Sequence, residues 1–286
     1  LAVIEMGASH PGEIKFLCEI AEPDYGIITN VGKAHLEGFG SFEGVIKTKG
    51  ELYDFLRKKD AITFIHHDNP YLMNISQGLN LISYGTEDDL YVNGRITGNS
   101  PYLAFEWKAG KDGELHQVCT QLIGEYNFPN ALAAITIGRF FGVEAKKIDE
   151  ALAEYTPQNN RSQLKKTEDN TLIIDAYNAN PTSMMAALQN FRNMTVPHKM
   201  LILGDMRELG ADSPAEHQKI VDYIKESDFE NVWLVGEQFA ASEHTFKTYA
   251  DVQEVIKDLQ EDKPKGYTIL IKGSNGIKLS STVEFL

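Results

Sequence analysis

Asp175, Tyr177, Asn178 and Asn180 crowd the stretch "TLIIDAYNANPTSM", between the apolar run Thr171 to Ile174 and Pro181. The run is β-branched and bounded by polar residues, which reads as a short buried strand. Pro181 suits the first turn of a helix, where its missing N–H is no loss. A strand-to-helix turn with one carboxylate and two amides concentrates hydrogen-bonding groups at one place, and such groups can hold a polar ligand. In open α/β sheets the ligand crevice lies outside the carboxyl ends of the strands. Gly204-Asp205, Gly236 and Lys272-Gly273-Ser274 sit at such ends, and so do Glu5 after "LAVIE" and "TNVGKAHLEGFGS", with His35, after "YGIIT". Any one of them alone is an ordinary turn residue. Their joint placement points to a site, with both halves of the chain expected to face one cleft.

Lys49 poses a second chemical question. "SFEGVIKTKGELYDFLRKK" reads as a helix with Ser41 as N-cap and Glu43 in the first turn. Phe42, Val45, Ile46, Leu52, Tyr53 and Leu56 form one apolar stripe at about 100° per residue. Lys49 falls near the middle of that stripe, and Lys47 points the opposite way. Either the Lys49 stem packs while its head reaches water, or the buried amine is paired, neutral or modified. A neutral amine can capture carbon dioxide as a carbamate, an oxygen donor for a metal. Glu5 and His35 are candidate ligands for the same Mg²⁺, a hard cation that keeps several waters.

The elements that must position these groups follow from pattern. The 286 residues, 42% hydrophobic, can bury a real core and suggest two domains. Strand-like runs alternating with helical stretches indicate an α/β fold with parallel sheets. From Ala61 to Ile123 the segments shorten and alternate, as in an added β-meander. "NFPNALAAITIGRFFG" reads as a core helix ending at Gly142, and "AKKIDEALAEY" as an amphipathic one. The polar stretch "TPQNNRSQ" marks a domain boundary, giving domains 1–157 and 158–286. Beyond it "TLIID", "KMLILG", "NVWLVG" and "YTILIKG" are strands of a smaller Rossmann-like α/β domain.

A net charge of −14 argues against a nucleic-acid or anionic-membrane surface. Cys18 and Cys119 form no close motif and suit a reduced, cytoplasmic setting. No apolar stretch is long enough to span a bilayer. Leu1 is not a start methionine, and "LAVIE" reads at once as a buried strand, so the residues are expected to be part of a longer polypeptide.

"LAVIEMGASHPGEI", "TNVGKAHLEGFGS", "KTKGE", "GEYNFPNALAA", "DAYNANPTSM", "LGDMRELG" and "LIKGSNG" occur here in the order found in the Mur ligases, and the chain resembles that family over essentially its whole length. "DAYNANPTSM" with "GDMRELG" is similar to the member that adds D-alanyl-D-alanine to UDP-N-acetylmuramoyl-tripeptide in peptidoglycan synthesis. The resemblance implies an ATP-dependent amide ligase acting through an acyl phosphate, with ATP and Mg²⁺ as cofactors and a monomeric, cytoplasmic protein. It implies Glu5, His35 and carbamylated Lys49 as metal ligands. Asn127 and Asn130 would lie on the adenine side, Arg161 at the ATP phosphates and Asp175 near the ribose. Lys49, His35 and Arg161 would serve catalysis. Tyr177, Asn178 and Asn180 would meet the nucleotide and the incoming amine, and Lys272 and Ser274 would host the dipeptide carboxylate.

Two features depart from the pattern. Tyr126 stands where many relatives carry histidine. No G-x-x-x-x-G-K-[ST] occurs, and "GASHPGEI" has Glu13 where the phosphate-binding lysine should be. In the family that loop lies upstream, so little or no ligase activity is expected of these residues alone. The competing readings are another Mur ligase or a folylpolyglutamate synthetase-like enzyme, a non-catalytic nucleotide-binding module, and a dinucleotide-dependent enzyme. The last lacks a G-x-G-x-x-G after any expected strand.

Overall fold

The computed structural model describes residues 1–33, 35–111 and 113–286. It forms two compact units, Leu1–Gln121 with Glu125–Tyr155, and Leu122–Gly124 with Thr156–Leu286.

The first unit carries strands β1 (Tyr25–Ile27), β2 (Ile62–His66), β3 (Asn80–Gly85), β4 (Val92–Asn99), β5 (Leu103–Ala109) and β6 (His116–Cys119), paired in that order. Its helices are α1 (Glu13–Ala21), α2 (Leu36–Phe39), α3 (Phe42–Lys59), α4 (Pro70–Asn74), α5 (Phe128–Phe140) and α6 (Ala145–Glu154). β1 to β4 run parallel, and β4, β5 and β6 form antiparallel pairs. The meander therefore begins at Val92, not near Ala61. Between β2 and β3 the chain crosses over through α4, whose N-cap Asn69 accepts from the Tyr71 and Leu72 N–H groups, and such a crossover returns the next strand parallel.

α3 forms as its pattern requires. Ser41 Oγ accepts the Gly44 N–H at 3.1 Å, and Val45, Tyr53 and Leu56 are buried. Tyr53 and Leu56 pack with Ile28, Val31, Ile65 and Leu72.

"LAVIE" is not a strand. Residues 1–8 carry no regular structure, and Leu1, Val3 and Ile4 are 90%, 89% and 60% exposed. β-branched residues favour a strand only where a sheet edge accepts their backbone groups. The edge strand β1 pairs with β2 alone.

The second unit carries β7 (Gln163–Lys166), β8 (Thr171–Asp175), β9 (Lys199–Gly204), β10 (Asn231–Val235), β11 (Lys247–Tyr249) and β12 (Thr268–Lys272). The sheet order is β11-β10-β9-β12-β8-β7, all parallel except the β7–β8 pair. Its helices are α7 (Pro181–Asn193), α8 (Ser213–Lys225), α9 (Glu237–Ala240) and α10 (Val252–Glu261). β12 is buried at every position, as expected of a central parallel strand covered on both faces. Leu172, Ile174, Met200, Ile202, Ile269 and Ile271 form the heart of the core. The edge strands β7 ("QLKK") and β11 ("KTY") are short and partly polar, and neither has a run long enough to stand out in sequence.

Candidate active site

The turn after β8 is built by its own polar residues. Asn180 caps α7: its Oδ1 accepts the Ser183 N–H at 2.9 Å, and Ser183 Oγ accepts the Asn180 N–H at 3.1 Å. Pro181 occupies the first helical position, as the sequence indicates. Asn178 Oδ1 accepts the Ala179 N–H at 2.8 Å. Both side-chain oxygens thus shape the turn, and Tyr177 stays 47% exposed.

Asp175 ends β8 and Lys272 ends β12, and the two are register partners on adjacent parallel strands. Lys272 Nζ donates to Asp175 Oδ2 at 2.6 Å and to the Asn178 carbonyl at 3.3 Å. The lysine side chain is only 2% exposed and that of Asp175 15%. A buried charge must be paired, and this pair satisfies both partners. Lys272 is therefore engaged with the turn that follows β8.

A second loop closes on the same carboxylate. Asn159, Asn160 and Ser162 have φ of 61°, 57° and 48°, so left-handed residues flank Arg161 on both sides. That course brings the Ser162 N–H to Asp175 Oδ1 at 3.1 Å. It also lays the Arg161 guanidinium 4.0 Å from the centre of the Tyr177 ring, a cation–π contact. Four residues singled out in sequence, Arg161, Asp175, Tyr177 and Lys272, are thereby brought together.

Ser274 joins them to the "GDMREL" loop. Its Oγ accepts the Arg207 N–H at 2.9 Å and lies 3.4 Å from the Ala179 carbonyl, and its N–H donates to the Asp205 carbonyl at 3.2 Å. Asp205 caps α9 through the Gln238 and Phe239 N–H groups at 3.0 and 2.9 Å. His217, fully buried, accepts the Met206 N–H on Nε2 at 3.0 Å, which places its proton on Nδ1, 2.7 Å from the Ser213 carbonyl. Burial pushes the His217 pKa down, opposed by the Ser213 bond and by Asp205 and Glu216. Sequence reasoning passed over Arg207 and His217. The one available signal was the density of charged residues in "GDMRELG".

In the first unit, Lys49 is half-buried and its Nζ donates to the Asn30 carbonyl at 2.8 Å. Burial lowers its pKa, which raises the neutral fraction that carbamate formation needs. His35 sits in the left-handed region, φ 52°, as N-cap of α2, its ring centre 6.2 Å from that of Phe39. Glu5 lies exposed in the irregular opening segment. Glu51 of "KTKGE" accepts the Gly12 and Lys15 N–H groups at 2.8 and 2.9 Å and so fixes the start of α1. Asn127 is the N-cap residue of α5, and Asn130 Nδ2 donates to its Oδ1 at 3.3 Å. Among the described residues no group of three or more His, Cys, Asp or Glu side chains converges as a metal site. An unmodified lysine supplies no acceptor to a hard cation.

Residues 1–138 match the Mur ligase middle domain, and residues 160–275 match the Mur ligase glutamate ligase domain. The chain belongs to the Mur ligase family. Over its whole length it is 33% identical to the UDP-N-acetylmuramoyl-tripeptide–D-alanyl-D-alanine ligase of Bacillus subtilis and 30% identical to that of Escherichia coli, spanning 64% and 65% of those enzymes. Among solved structures it is similar to MurF from Acinetobacter baumannii, with a TM-score of 0.85 and 26% identity over 99% of this chain and 64% of that one. MurF from Thermotoga maritima, solved in complex with ADP, gives a TM-score of 0.85 and 25% identity over 98% of this chain and 65% of that one. The chain thus spans just under two thirds of the relatives it matches.

Proposed function

We propose that the chain is the greater part of an ATP-dependent ligase that joins D-alanyl-D-alanine to the terminal carboxylate of UDP-N-acetylmuramoyl-tripeptide. The observation that carries the reading is the meeting of Asp175, Lys272, Arg161 and Tyr177 at the carboxyl ends of β8 and β12, where an open α/β sheet binds its ligands.

In this reading a tripeptide carboxylate oxygen attacks the γ-phosphorus of ATP, and the bond to ADP breaks. The dipeptide amine then attacks the acyl carbon, a tetrahedral intermediate forms, the amine loses a proton, and phosphate leaves with the carboxylate oxygen. Such chemistry needs positioning and charge compensation more than covalent help from the protein. Arg161, oriented by Tyr177, supplies a cation to the ATP phosphates. Asp175, held by Lys272 and Ser162, offers acceptors to the ribose hydroxyls, and Asn127 and Asn130 serve the adenine side. Tyr177, Asn178, Asn180 and Ser274 border the incoming amine. Mg²⁺ would be held by Glu5, His35 and carbamylated Lys49, and when bound it offsets phosphate charge. The protein acts as a cytoplasmic monomer.

The chain contains no Gly-rich phosphate loop of the G-x-x-x-x-G-K-[ST] kind, so these residues alone should show little or no turnover. The test is phosphate release by the full-length polypeptide with ATP, Mg²⁺, UDP-muramoyl tripeptide and D-alanyl-D-alanine, each omitted in turn. Release that depends on the dipeptide supports the ligase. Release indifferent to it, or none at all, favours a nucleotide-binding module.

A further inference from the structure

Arg207 has no ion pair among the described residues. The residue is exposed. The guanidinium lies beside Gly276 of the "KGSNG" turn: a methyl group there would collide with Nη1 and come within 2.7 Å of Cζ. Below it the loop is fixed by the bonds from Met206 to His217, from Arg207 to Ser274 and from Ser274 to Asp205. Close backbone approach between the two loops adds to this, since a methyl at Gly273 would lie 3.0 Å from Gly204 Cα. A planar, five-donor cation that forms no ion pair and rests on a hydrogen-bonded loop can receive a carboxylate.

We infer that Arg207, not Lys272, binds the C-terminal carboxylate of the dipeptide, and so determines that the amine substrate must end in a free acid. The inference rests on the ligase reading. Asp175, Lys272 and Leu203 lie side by side across three neighbouring strands. At roughly 4.8 Å per strand, the end of β9 stands about 10 Å from that of β8. An extended dipeptide spans up to about 7 Å. With the nucleotide at β8, a dipeptide of that length has the reach to place its far end at the Arg207 guanidinium, which lies beside Gly276 in the loop after β12, the strand next to β8. Lys272 cannot fill that role without giving up its ion pair with Asp175.

The test uses the full-length polypeptide with D-alanyl-D-alanine and, separately, D-alanyl-D-alaninamide, whose C-terminus is neutral. The wild type should prefer the free acid. Arg207→Met should raise KM for the acid by about 10- to 100-fold, leave the amide and ATP values unchanged, and so erase the preference. Arg207→Lys should retain part of it. Gly276→Ala, which displaces the guanidinium without deleting it, should move KM in the same direction. An Arg207→Met enzyme that keeps the wild-type preference overturns the inference and leaves the ligase standing. A rise in KM for ATP instead would assign the guanidinium to phosphate and also overturn it. A wild type that turns over neither dipeptide removes the ligase reading and this inference with it.

Discussion

The ammonium of Lys272 lies 2.6 Å from Oδ2 of Asp175, two side chains that end adjacent parallel strands in register. The pair is 97 residues apart in sequence and nearly sealed from solvent. It fixes the turn after β8 from beneath, because the same ammonium also reaches the Asn178 carbonyl.

Removing one partner should be costly. Lys272→Met should lose about 3 kcal/mol, the lower end for a broken buried pair because Asp175 keeps some exposure and the Ser162 N–H. Lys272→Met with Asp175→Asn should recover a large part of that loss. Urea unfolding followed by Trp233 fluorescence, with Trp107→Phe as background, reads both values. With Asp175→Asn measured alone as well, a double variant whose loss equals the sum of the two single losses would show that the pair contributes no coupling.

Asn180 separates a structural role from a functional one. Loss of its cap in Asn180→Ala should cost about 1 kcal/mol, whereas Asn180→Ser, which keeps a capping oxygen, should cost little. If the amide also meets substrate, the Ser variant of the full-length enzyme should fold normally and still lose kcat/KM. A fully active Asn180→Ser enzyme would leave the residue as a cap alone.

His217 should make the second unit sensitive to acid. Its folded-state pKa lies below the ordinary 6.5, so between those values the unfolded chain binds more protons than the folded one. Stability is fully present above pH 6.5 and declines as pH falls through and below it, levelling once the folded histidine is itself protonated. His217→Leu should be destabilised by about 1–3 kcal/mol at neutral pH, because the buried Met206 N–H loses its acceptor. It should also show a shallower decline between pH 6.5 and 5 in urea titrations. An unchanged slope would mean that other groups carry the acid sensitivity.

Lys49 should be chemically modifiable. Burial depresses its pKa, so the neutral amine is populated at lower pH than for an exposed lysine. With ¹³C-bicarbonate, the full-length protein should show a carbamate carbon resonance that is absent from Lys49→Ala. The same variant should lose most turnover and regain part of it with added short carboxylates. Full activity without rescue would reduce Lys49 to a packed side chain bonded to Asn30.

How far the sequence reveals these features depends on the range of the forces behind them. β8, its terminal Asp175 and the Pro181 start of α7 are local: an apolar run, an acid and a proline specify them within one stretch. The Ser41 cap and the stripe of α3 are equally local. Lys272 was legible as a strand end, but its engagement with Asp175 follows from strand order, which no periodicity encodes. Arg207 over Gly276 is a contact between two loops, visible only after folding. "LAVIE" misled for the opposite reason. Its composition favours a strand, yet an apolar run becomes one only when a neighbour supplies the ladder, and here Leu1, Val3 and Ile4 face solvent.

The route of the carboxylate oxygen tests the ligase account most directly. UDP-muramoyl tripeptide labelled with ¹⁸O in its terminal carboxylate would be incubated with ATP, D-alanyl-D-alanine and the full-length polypeptide. The released phosphate would then be analysed by mass spectrometry. Formation of an acyl phosphate predicts one ¹⁸O in each phosphate and one amide bond per phosphate released. Phosphate free of label, or released without amide, would mean that water and not the tripeptide receives the phosphoryl group, and would contradict the account.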